Sequence, residues 1–464
     1  MPLKQLNHYK VNLHILSPIH VGTGQELDPF SFVIRDNRLC LIDLVKWMDE
    51  YSEKEELHNM MNSDNFAHVR TFIAEKMDVK SSMLCSIPID SKELHKTYRR
   101  AIEEKDPRNQ VLISPMTRNE VTMDAFIPGS SIKGSIRTAI ANQFVQKAGV
   151  TSKDSGRGRS DYNQKIFGRI NEDPMRWLKL SDVSLRESGT VIVEAKEYSR
   201  NPDKALTPKG HVEVALSLCQ AEKSVIHPLR LSMAPFMLHG EEVNPEFLLE
   251  ALYQFYVSKY EEEYAKFFRT QRSAVIQQGI SPMNKIVKEM KTNETLIRIG
   301  HFSHVECVTL DRVRNPMTRK GKDGKPLPWG TTRTLANGVY PFGWCKLEFL
   351  DLEAKTRPQR DWPFSSEKVD KIITRKPPQV PEVKKIIKPK VDEEDNFSVL
   401  VKQLNVIEAN DKLGMERMVE SINRIKDESQ QKQFGKLIKK KLEDRGMWKK
   451  HPLRFEIEMY LEDN

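Results

Sequence analysis

The junction between an apolar strand and a helix at residues 126–137 does most to limit how this chain can fold. The strand-like stretch ends at a proline, Gly129 follows, and apolar residues then recur with helical spacing over residues 132–145. Residues 9–15 alternate polar and apolar side chains, which is typical of a half-buried strand. Because helix patterns and strand patterns both occur along the first 355 residues, the predicted fold class is α+β.

The same junction carries the residue types of a phosphate-binding site. Gly129 provides the turn, and Ser130 and Ser131 are predicted to occupy N-cap positions. Lys133 and Arg137 are four residues apart and are therefore expected on one helix face. Since a helix N-terminus offers backbone N–H groups to an anion, hydroxyls and cations placed there favour phosphate. A capped helix with two surface cations is the alternative. A Walker A motif is excluded because serine and isoleucine stand where it requires Lys-Ser or Lys-Thr.

An excess of basic residues points to an anionic partner. The chain has 464 residues and a formal net charge of +9, with 38% hydrophobic and 30% charged residues. This length suffices for two or three domains with buried cores. A basic balance on such a protein indicates that it binds an anionic macromolecule. A charged tail that biases the total is the alternative.

The sequence lacks the usual marks of an exported, membrane-bound or disulfide-linked protein. The first ten residues are polar, and no apolar run reaches the roughly 20 residues that a membrane helix needs. The five cysteines are far apart and form no CxxC pair, so neither a zinc knuckle nor a disulfide framework is predicted. We therefore expect a cytoplasmic protein.

A glycine-punctuated loop follows the first predicted strand. This loop covers residues 17–24 and contains Ser17, His20, Gly22 and Gly24. Glycines adopt backbone conformations closed to other residues and let a ligand approach the chain closely. His20 has the chemistry to stack on a base or to donate to a phosphate, although a lone histidine is more often structural.

A second group of basic and aromatic residues occurs late in the chain. Arg298, Gly300 and His301 stand at the end of a predicted strand. Three further arginines of this group are Arg312, Arg314 and Arg333. Cations interleaved with aromatic rings suit a single-stranded nucleic acid with stacked bases. A solvated basic loop is the alternative interpretation.

No group of residues predicts a catalytic or metal centre. His301 and His304 form an HxxH pair, but no third ligand lies nearby in the sequence. The nucleophile-elbow motif GxSxG is absent. Asp28, in the loop after the glycines, is the one acid that a nuclease could use, and by itself it is more typical of a turn. We therefore expect no catalytic residue, no metal and no cofactor.

Composition separates the C-terminal part from the rest of the chain. Residues 356–395 are rich in proline and lysine and predict a semi-rigid linker. Residues 396–464 regain helical spacing and predict a small, lysine-rich helical extension. One hypothesis is therefore a scaffold that recruits a partner through these C-terminal helices.

Several segments together resemble the RAMP superfamily of CRISPR proteins. They are residues 17–24 with the pattern SPxHxGxG, residues 127–137 with IPGSSxKGxxR, the Leu-Ser-Asp of residues 180–182, and a late IRxG and PFGW. Their order is most similar to that of the subunits that cap type III-A effector complexes. The resemblance covers residues 6–352.

This resemblance implies a specific fold and division of the chain. Members of the superfamily are built from ferredoxin-like modules related to the RRM, with large insertions. The implied first module covers residues 1–185 and includes a helical insertion, and the second covers residues 186–355.

The resemblance also implies a function in RNA binding. The related capping subunits hold the guide (CRISPR) RNA near its 3′ end, contact a neighbouring RAMP backbone subunit and a small helical subunit, and help host nucleases to mature the guide. The RNA-binding residues expected from this resemblance and from the chemistry above are Ser17, His20, Gly22, Gly24, Gly129, Ser130, Ser131, Lys133, Arg137, Arg298, Gly300, His301, Arg312, Arg314 and Arg333. A RAMP endoribonuclease that cuts guide precursor or target RNA, with Asp28 or with His20 and His301 in its centre, is the alternative.

Overall fold

The computed structural model of the chain describes most of the first 364 residues and parts of the remainder. In the N-terminal part it describes residues 5–364 except 64, 105–110, 156–161, 188, 202–203, 222–225, 271–272, 312, 314–329, 353–356, 358–359 and 361. In the C-terminal part it describes residues 400–401, 404, 415, 418–419, 421–422, 425, 427–444, 448 and 454–459. The chain divides into two compact units, Met1–Arg375 and Lys376–Asn464.

The described strands all belong to the first unit. They are β1 (Asn7–Ile15), β2 (Phe32–Arg35), β3 (Arg38–Ile42), β4 (Met83–Asp90), β5 (Ile113–Ser114), β6 (Phe126–Ile127), β7 (Leu178–Leu180), β8 (Val183–Ser184), β9 (Thr190–Ser199), β10 (Thr207–Ala215), β11 (Ile226–Met233), β12 (Phe236–Leu238), β13 (Glu241–Val243), β14 (Glu294–Arg298), β15 (Thr332–Ala336), β16 (Tyr340–Pro341) and β17 (Trp344–Phe349).

Helices fill the connections between these strands and recur in the second unit. They are α1 (Leu44–Glu50), α2 (Lys54–Met61), α3 (Phe66–Lys76), α4 (Val79–Ser82), α5 (Lys92–Glu103), α6 (Gly129–Phe144), α7 (Tyr162–Phe167), α8 (Leu218–Ala221), α9 (Pro245–Leu252), α10 (Ser258–Glu263), α11 (Ala274–Lys288), α12 (His304–Val308), α13 (Glu428–Glu443) and α14 (Arg454–Met459). Short 3-10 helices cover Ser152–Ser155 and Pro174–Trp177.

The first large sheet is antiparallel and has the strand order β14–β17–β1–β11–β7. The N-terminal strand β1 lies at its centre. Leu229 of β11 lies opposite Val11, and Leu347 of β17 lies opposite Leu13. Val11, Leu13 and Ile15 are buried in the main core, so the alternation in this segment correctly predicts both the strand and its inward face.

The second large sheet has the order β16–β15–β9–β4–β3–β2, with β10 and β5 attached through β9. Strand β9 is antiparallel to β10 and β15 and parallel to β4. The hairpin of β2 and β3 turns at Asp36 and Asn37 with φ values of 49° and 61°. Two-residue hairpin turns favour positive φ, and Asp and Asn tolerate it.

Helix α6 packs against β7, β14 and α9 and buries Ile132, Ile136 and Ile140 in the main core. Helices α1 to α4 lie between β3 and β4 and contribute to a separate apolar core. The apolar spacing of residues 247–268 is typical of one long helix, and the structure has a helix there that is interrupted. Two π-helical segments, Tyr253–Val257 and Tyr264–Phe268, flank α10.

The second unit has an apolar core of its own. Leu404, Met415, Phe434 and Ile438 are among its buried members. Helices α13 and α14 lie within residues 396–464. Most of the predicted linker at 356–395 lies outside the described residues. The boundaries of the linker and of the helical extension stay predictions.

This mixed architecture confirms the predicted α+β class. Residues 1–185 and residues 186–355 both contribute strands to each of the two large sheets. The division into two ferredoxin-like modules, and its boundary, stay predictions. Among the described helices, none combines the length and the apolar character that a membrane span requires.

Candidate nucleic-acid interface

The fold brings the glycine loop and the two late motifs together through backbone hydrogen bonds. The N–H of Gly343 donates to the carbonyl of Pro18 over 2.8 Å, and the N–H of Ile299 donates to Gly343 over 2.8 Å. The N–H of His301 donates to the carbonyl of His20, also over 2.8 Å. Segments that are far apart in the sequence therefore form one continuous structure, which we call the motif junction (residues 17–24, 297–302 and 341–344).

Glycines at positions 22, 300 and 343 of this junction leave no room for a side chain. Gly300 has a φ of +88°, which other residues rarely adopt, and a methyl group on its Cα would collide with the carbonyl oxygen of His20. A methyl group on Gly22 would lie 2.7 Å from the ring nitrogen Nε2 of His20 and 2.9 Å from the carbonyl oxygen of Pro115. Gly24 also has a positive φ, of +84°, but faces open space. The glycines at 22 and 300 thus serve close packing of the loops.

His20 lies inside the protein. It is 5% exposed, and its Nδ1–H donates to the carbonyl of Glu213 over 2.7 Å. Burial lowers its pKa, so the ring is neutral at pH 7. Its centroid is 6.2 Å from that of His301 and 6.4 Å from that of Phe302. The structure therefore brings the two predicted histidines together, but only His301 is exposed.

A buried carboxylate, that of Glu263 at the end of α10, binds two side chains of the motif junction and a third from β15. Its Oε1 accepts from Arg298 Nη1 over 2.9 Å and from Arg333 Nε over 2.5 Å, and its Oε2 accepts from Trp344 Nε1 over 2.8 Å. Arg333 also pairs with Glu306 over 3.1 Å. Burial alone would raise the pKa of Glu263, but the two guanidinium groups lower it to about 2. The carboxylate is therefore ionised. We call the group of Glu263, Arg298, Arg333 and Trp344 the Glu263 cluster.

This cluster changes the role of several residues that the sequence assigns to RNA. The side chains of Arg298 and Arg333 are 1% and 3% exposed. Ser17 is fully buried and its Oγ accepts the N–H of Trp344 over 2.9 Å. A direct phosphate contact by any of the three would require breaking these internal bonds. Arg312 and Arg314 lie outside the described residues.

The candidate nuclease residue Asp28 is exposed and belongs to a turn. Its Oδ1 accepts the backbone N–H of Phe30 over 2.7 Å, and its carbonyl accepts the N–H of Ser31 over 2.9 Å. An Asp side chain that bonds the backbone two residues later is a common turn arrangement. No group of three or more potential metal ligands occurs among the described residues.

The predicted cap of helix α6 is wrong in detail. The helix begins at Gly129, with Pro128 as its N-cap, so Ser130 and Ser131 lie in the first turn and do not cap it. The N–H of Gly129 donates to Asp182 Oδ1 over 2.8 Å. A methyl group on Gly129 would lie 2.5 Å from the carbonyl oxygen of Leu180, which explains the glycine. The first amide of the helix already has a carboxylate partner and is not free for a phosphate.

Positive charge is instead concentrated one turn further along α6. Lys133, Arg137, Asp173 and Arg176 are among the residues that line a cavity of about 380 Å³ beside the helix, which we call the lysine cavity. Arg137 donates to Asp173 Oδ2 over 2.7 Å and to Asn163 Oδ1 over 3.2 Å, so it is held by internal partners.

Lys133 differs from Arg137 because, within the described part of the chain, no carboxylate lies within salt-bridge distance of its amine. Burial lowers its pKa, the nearby cations Lys179 and Arg137 lower it further, and only Asp173 acts in the opposite direction. Net positive charge therefore remains uncompensated here.

The strand register extends this charge across the first sheet. Arg230 of β11 lies opposite Lys10 of β1, and Ser232, two residues further along β11, lies opposite Lys179 of β7. Because alternate residues share a sheet face, Lys10, Arg230 and Lys179 lie on the same face, and all three are exposed. Lys179 is near enough to Lys133 to lower its pKa, and we call these four residues the basic strip. Sequence analysis missed three of these residues because only the register brings them together.

A family comparison now defines the class of protein. The sequence profile described as the RAMP superfamily matches residues 12–322, and the chain belongs to this superfamily.

Two curated relatives carry the name CRISPR system Cms protein Csm5. The one from Methanocaldococcus jannaschii is 22% identical in an alignment of 222 positions that covers 43% of this chain and 48% of the relative. The one from Streptococcus thermophilus is 23% identical in an alignment of 215 positions that covers 42% of this chain and 57% of the relative. The chain thus spans about half the length of the curated relatives it matches.

A solved structure agrees in fold. It is a chain in the cryo-EM structure of a Csm–crRNA–target RNA ternary complex of a type III-A CRISPR-Cas system, with a TM-score of 0.51 and 20% identity. The match covers 74% of this chain and 100% of the other. At this level of identity, the likeness shows a shared fold.

Proposed function

We propose that this chain is a non-catalytic RNA-binding subunit of a type III-A CRISPR effector complex. In this role it caps the backbone filament, binds the guide RNA near its 3′ end and supports maturation of the guide. Membership of the RAMP superfamily and the similarity to proteins named Csm5 support the assignment.

The observation that carries the RNA-binding part is the uncompensated charge at Lys133. A partly buried lysine that has like charges near it and no carboxylate in salt-bridge distance is stabilised when an anion binds. Lys179, Arg230 and Lys10 continue the positive charge along an exposed sheet face. A polyanion with regularly spaced charges fits such a strip, and phosphate contacts of this kind bind RNA without selecting its sequence.

The proposed partners are the guide RNA, a neighbouring RAMP backbone subunit, a small helical subunit and host nucleases. The nucleases, and not this chain, would shorten the guide. The exposed turn position of Asp28 and the internal hydrogen bond of His20 are consistent with a subunit that does not cut RNA.

The phosphate contacts are tested by the salt dependence of RNA binding. The full chain is titrated with a single-stranded oligoribonucleotide at several salt concentrations. Replacing both Lys133 and Lys179 by Ala should flatten the log–log salt slope by about 0.7 for each phosphate that is no longer neutralised. The matched control replaces Lys46 and Lys96, two exposed lysines that pair with Glu50 and Glu93. An equal slope for the wild-type protein and the Lys133/Lys179 variant would contradict the basic strip.

The place of the chain in the complex is tested by purification through a tag on this chain after co-expression with its neighbouring genes. Bound RNAs with one shared repeat-derived end and variable 3′ ends would support capping and maturation. Purified chain that cuts guide precursor or paired target, in a manner that depends on Asp28 or on His20, would contradict the non-catalytic role and favour the endoribonuclease.

A further inference from the structure

We propose that the cavity lined by Phe167 and Trp177, next to the lysine cavity, binds one base of a single-stranded RNA, while Lys133 and its neighbours hold an adjacent phosphate. This inference rests on the proposed RNA-binding function and adds a base-binding pocket to it.

The pocket has the size and the lining that a nucleobase requires. It has a volume of about 550 Å³, and its walls include Phe167, Pro174, Trp177 and Phe236. Phe167 and Phe236 are 2% and 3% exposed, so they form the floor, while Trp177 is only partly buried and is the ring that a base can reach. Flat aromatic rings that border a half-open cavity stack well on bases, and this interaction tolerates every base because each has a π-face.

A single ring joins this pocket to the lysine cavity. The guanidinium carbon of Arg137, which lines the lysine cavity, lies 3.8 Å from the centroid of the Phe167 ring, which lines the pocket. The chain between them forms the turn at residues 168–173, where the side chain of Ile170 is 97% exposed. Residues of the segment 168–177 line both cavities, so the two lie next to each other and consecutive groups of one RNA strand can occupy both.

The charges around the pocket favour a base over a phosphate. Its lysine, Lys165, already pairs with the buried Asp154 over 2.7 Å. The exposed side chains of Glu172 and Gln164 are also part of the lining. A carboxylate repels phosphate but accepts hydrogen bonds from the exocyclic amino groups of bases, and an amide can donate to and accept from a base edge. An apolar side chain of a partner protein is the competing occupant.

The test uses the full chain with Trp177→Leu, which keeps an apolar side chain but removes the stacking ring. Binding of single-stranded oligoribonucleotides should weaken roughly 5- to 50-fold. The log–log salt slope should stay at the wild-type value, because the variant keeps every cation that faces a phosphate. Trp177→Phe, which retains a ring, should recover most of the affinity. Circular dichroism and the unfolding midpoint establish that each variant is folded.

Rim variants keep the inference testable if Trp177→Leu does not fold. Glu172→Gln and Gln164→Ala lie at exposed positions and should change the relative affinities for A-, C- and U-rich oligoribonucleotides without changing the salt slope. Wild-type affinity and unaltered base preference in all folded variants would overturn the pocket. Unchanged RNA affinity together with loss of a co-purifying subunit would also overturn it and identify a protein side chain as the occupant.

These outcomes are separable from failure of the proposed function. If the wild-type chain binds no RNA, the proposed function itself fails. If the wild-type chain binds RNA with a slope that depends on Lys133 and Lys179, but Trp177 and the rim have no effect, only the base pocket fails.

Discussion

The Glu263 cluster and the lysine cavity begin from the same kind of sequence signal and reach opposite outcomes. In each region, cations lie close to a glycine and to a strand or helix terminus. Arg298 and Arg333 share the carboxylate of Glu263 and are almost fully buried. Lys133 has no such carboxylate among the described residues and is only partly buried.

The two regions differ in whether a carboxylate of the protein lies next to the cations, and not in the cations themselves. A buried cation is stable only when an anion compensates it, and the protein itself supplies that anion in the Glu263 cluster. In the lysine cavity the anion has to come from outside. A basic residue in a RAMP-like chain is therefore best assigned to structure or to RNA after its carboxylate partner has been identified.

Removing the acid of the Glu263 cluster should have the largest effect on stability. Glu263→Gln keeps the volume of the side chain but leaves two buried guanidinium groups without their shared charge. We expect the free energy of unfolding to fall by about 3–5 kcal/mol, measured by urea denaturation. Glu262→Gln is the matched control because the side chain of Glu262, the residue before Glu263, is 61% exposed, and the change there should stay below about 1 kcal/mol. Similar losses in both variants would remove the proposed contrast between the two regions.

The sequence allows a prediction of the elements that depend on local patterns. The alternation in residues 9–15 places β1 and its buried face correctly, and the polar turn at Asp36 and Asn37 gives the β2–β3 hairpin. The helix after Gly129 is also predicted, although it starts earlier than expected. Each of these features is determined by neighbours within a few residues.

The contacts of the site depend on residues far apart, and the sequence alone does not pair them. Asp182 reaches the first amide of α6 across 53 positions, and Glu263 reaches Trp344 across 81. The sequence does contain one indication that Glu263 has a buried partner. Glu263 lies at helical spacing from Tyr256, Tyr260 and Phe267, which are buried, and an acid on the apolar face of a helix needs a partner inside the protein. No comparable signal predicts the strand register that forms the basic strip.

His304, which is affected by the charges of the Glu263 cluster, should make the stability of the protein sensitive to acid. Burial, followed by the charges of Arg298 and Arg333, lowers the pKa of His304 to about 3, and its Nε2 accepts the N–H of Thr334 over 3.2 Å. In the unfolded chain the same ring is protonated near pH 6.5. Below that pH the unfolded state binds one more proton, so the stability conferred by the neutral ring is lost as the pH falls towards 3.

The size of this effect follows from the linkage. His304 alone should reduce the free energy of unfolding by about 1.4 kcal/mol for each pH unit below 6.5, or about 2 kcal/mol at pH 5. His304→Gln, which can still accept the hydrogen bond, should remove this part of the pH dependence in urea denaturation series. The exposed His58, changed in the same way, serves as the control. A wild-type pH profile in His304→Gln would mean that other groups cause the acid sensitivity.

The smallest expected effect is that of Gly134→Ala in α6, for which Gly300→Ala in the motif junction is the comparison. Gly134 lies within α6 next to Lys133, is exposed and has open space where a side chain would point. Gly134→Ala should therefore raise the free energy of unfolding by about 0.5–1 kcal/mol, because Ala is the better helix former. Gly300→Ala should instead destabilise the protein, since its φ of +88° and the carbonyl of His20 exclude a methyl group. If RNA enters the lysine cavity without crossing the first turns of α6, Gly134→Ala will also leave RNA affinity unchanged. A more stable protein with weakened RNA binding would place the RNA backbone directly over the first turns of the helix.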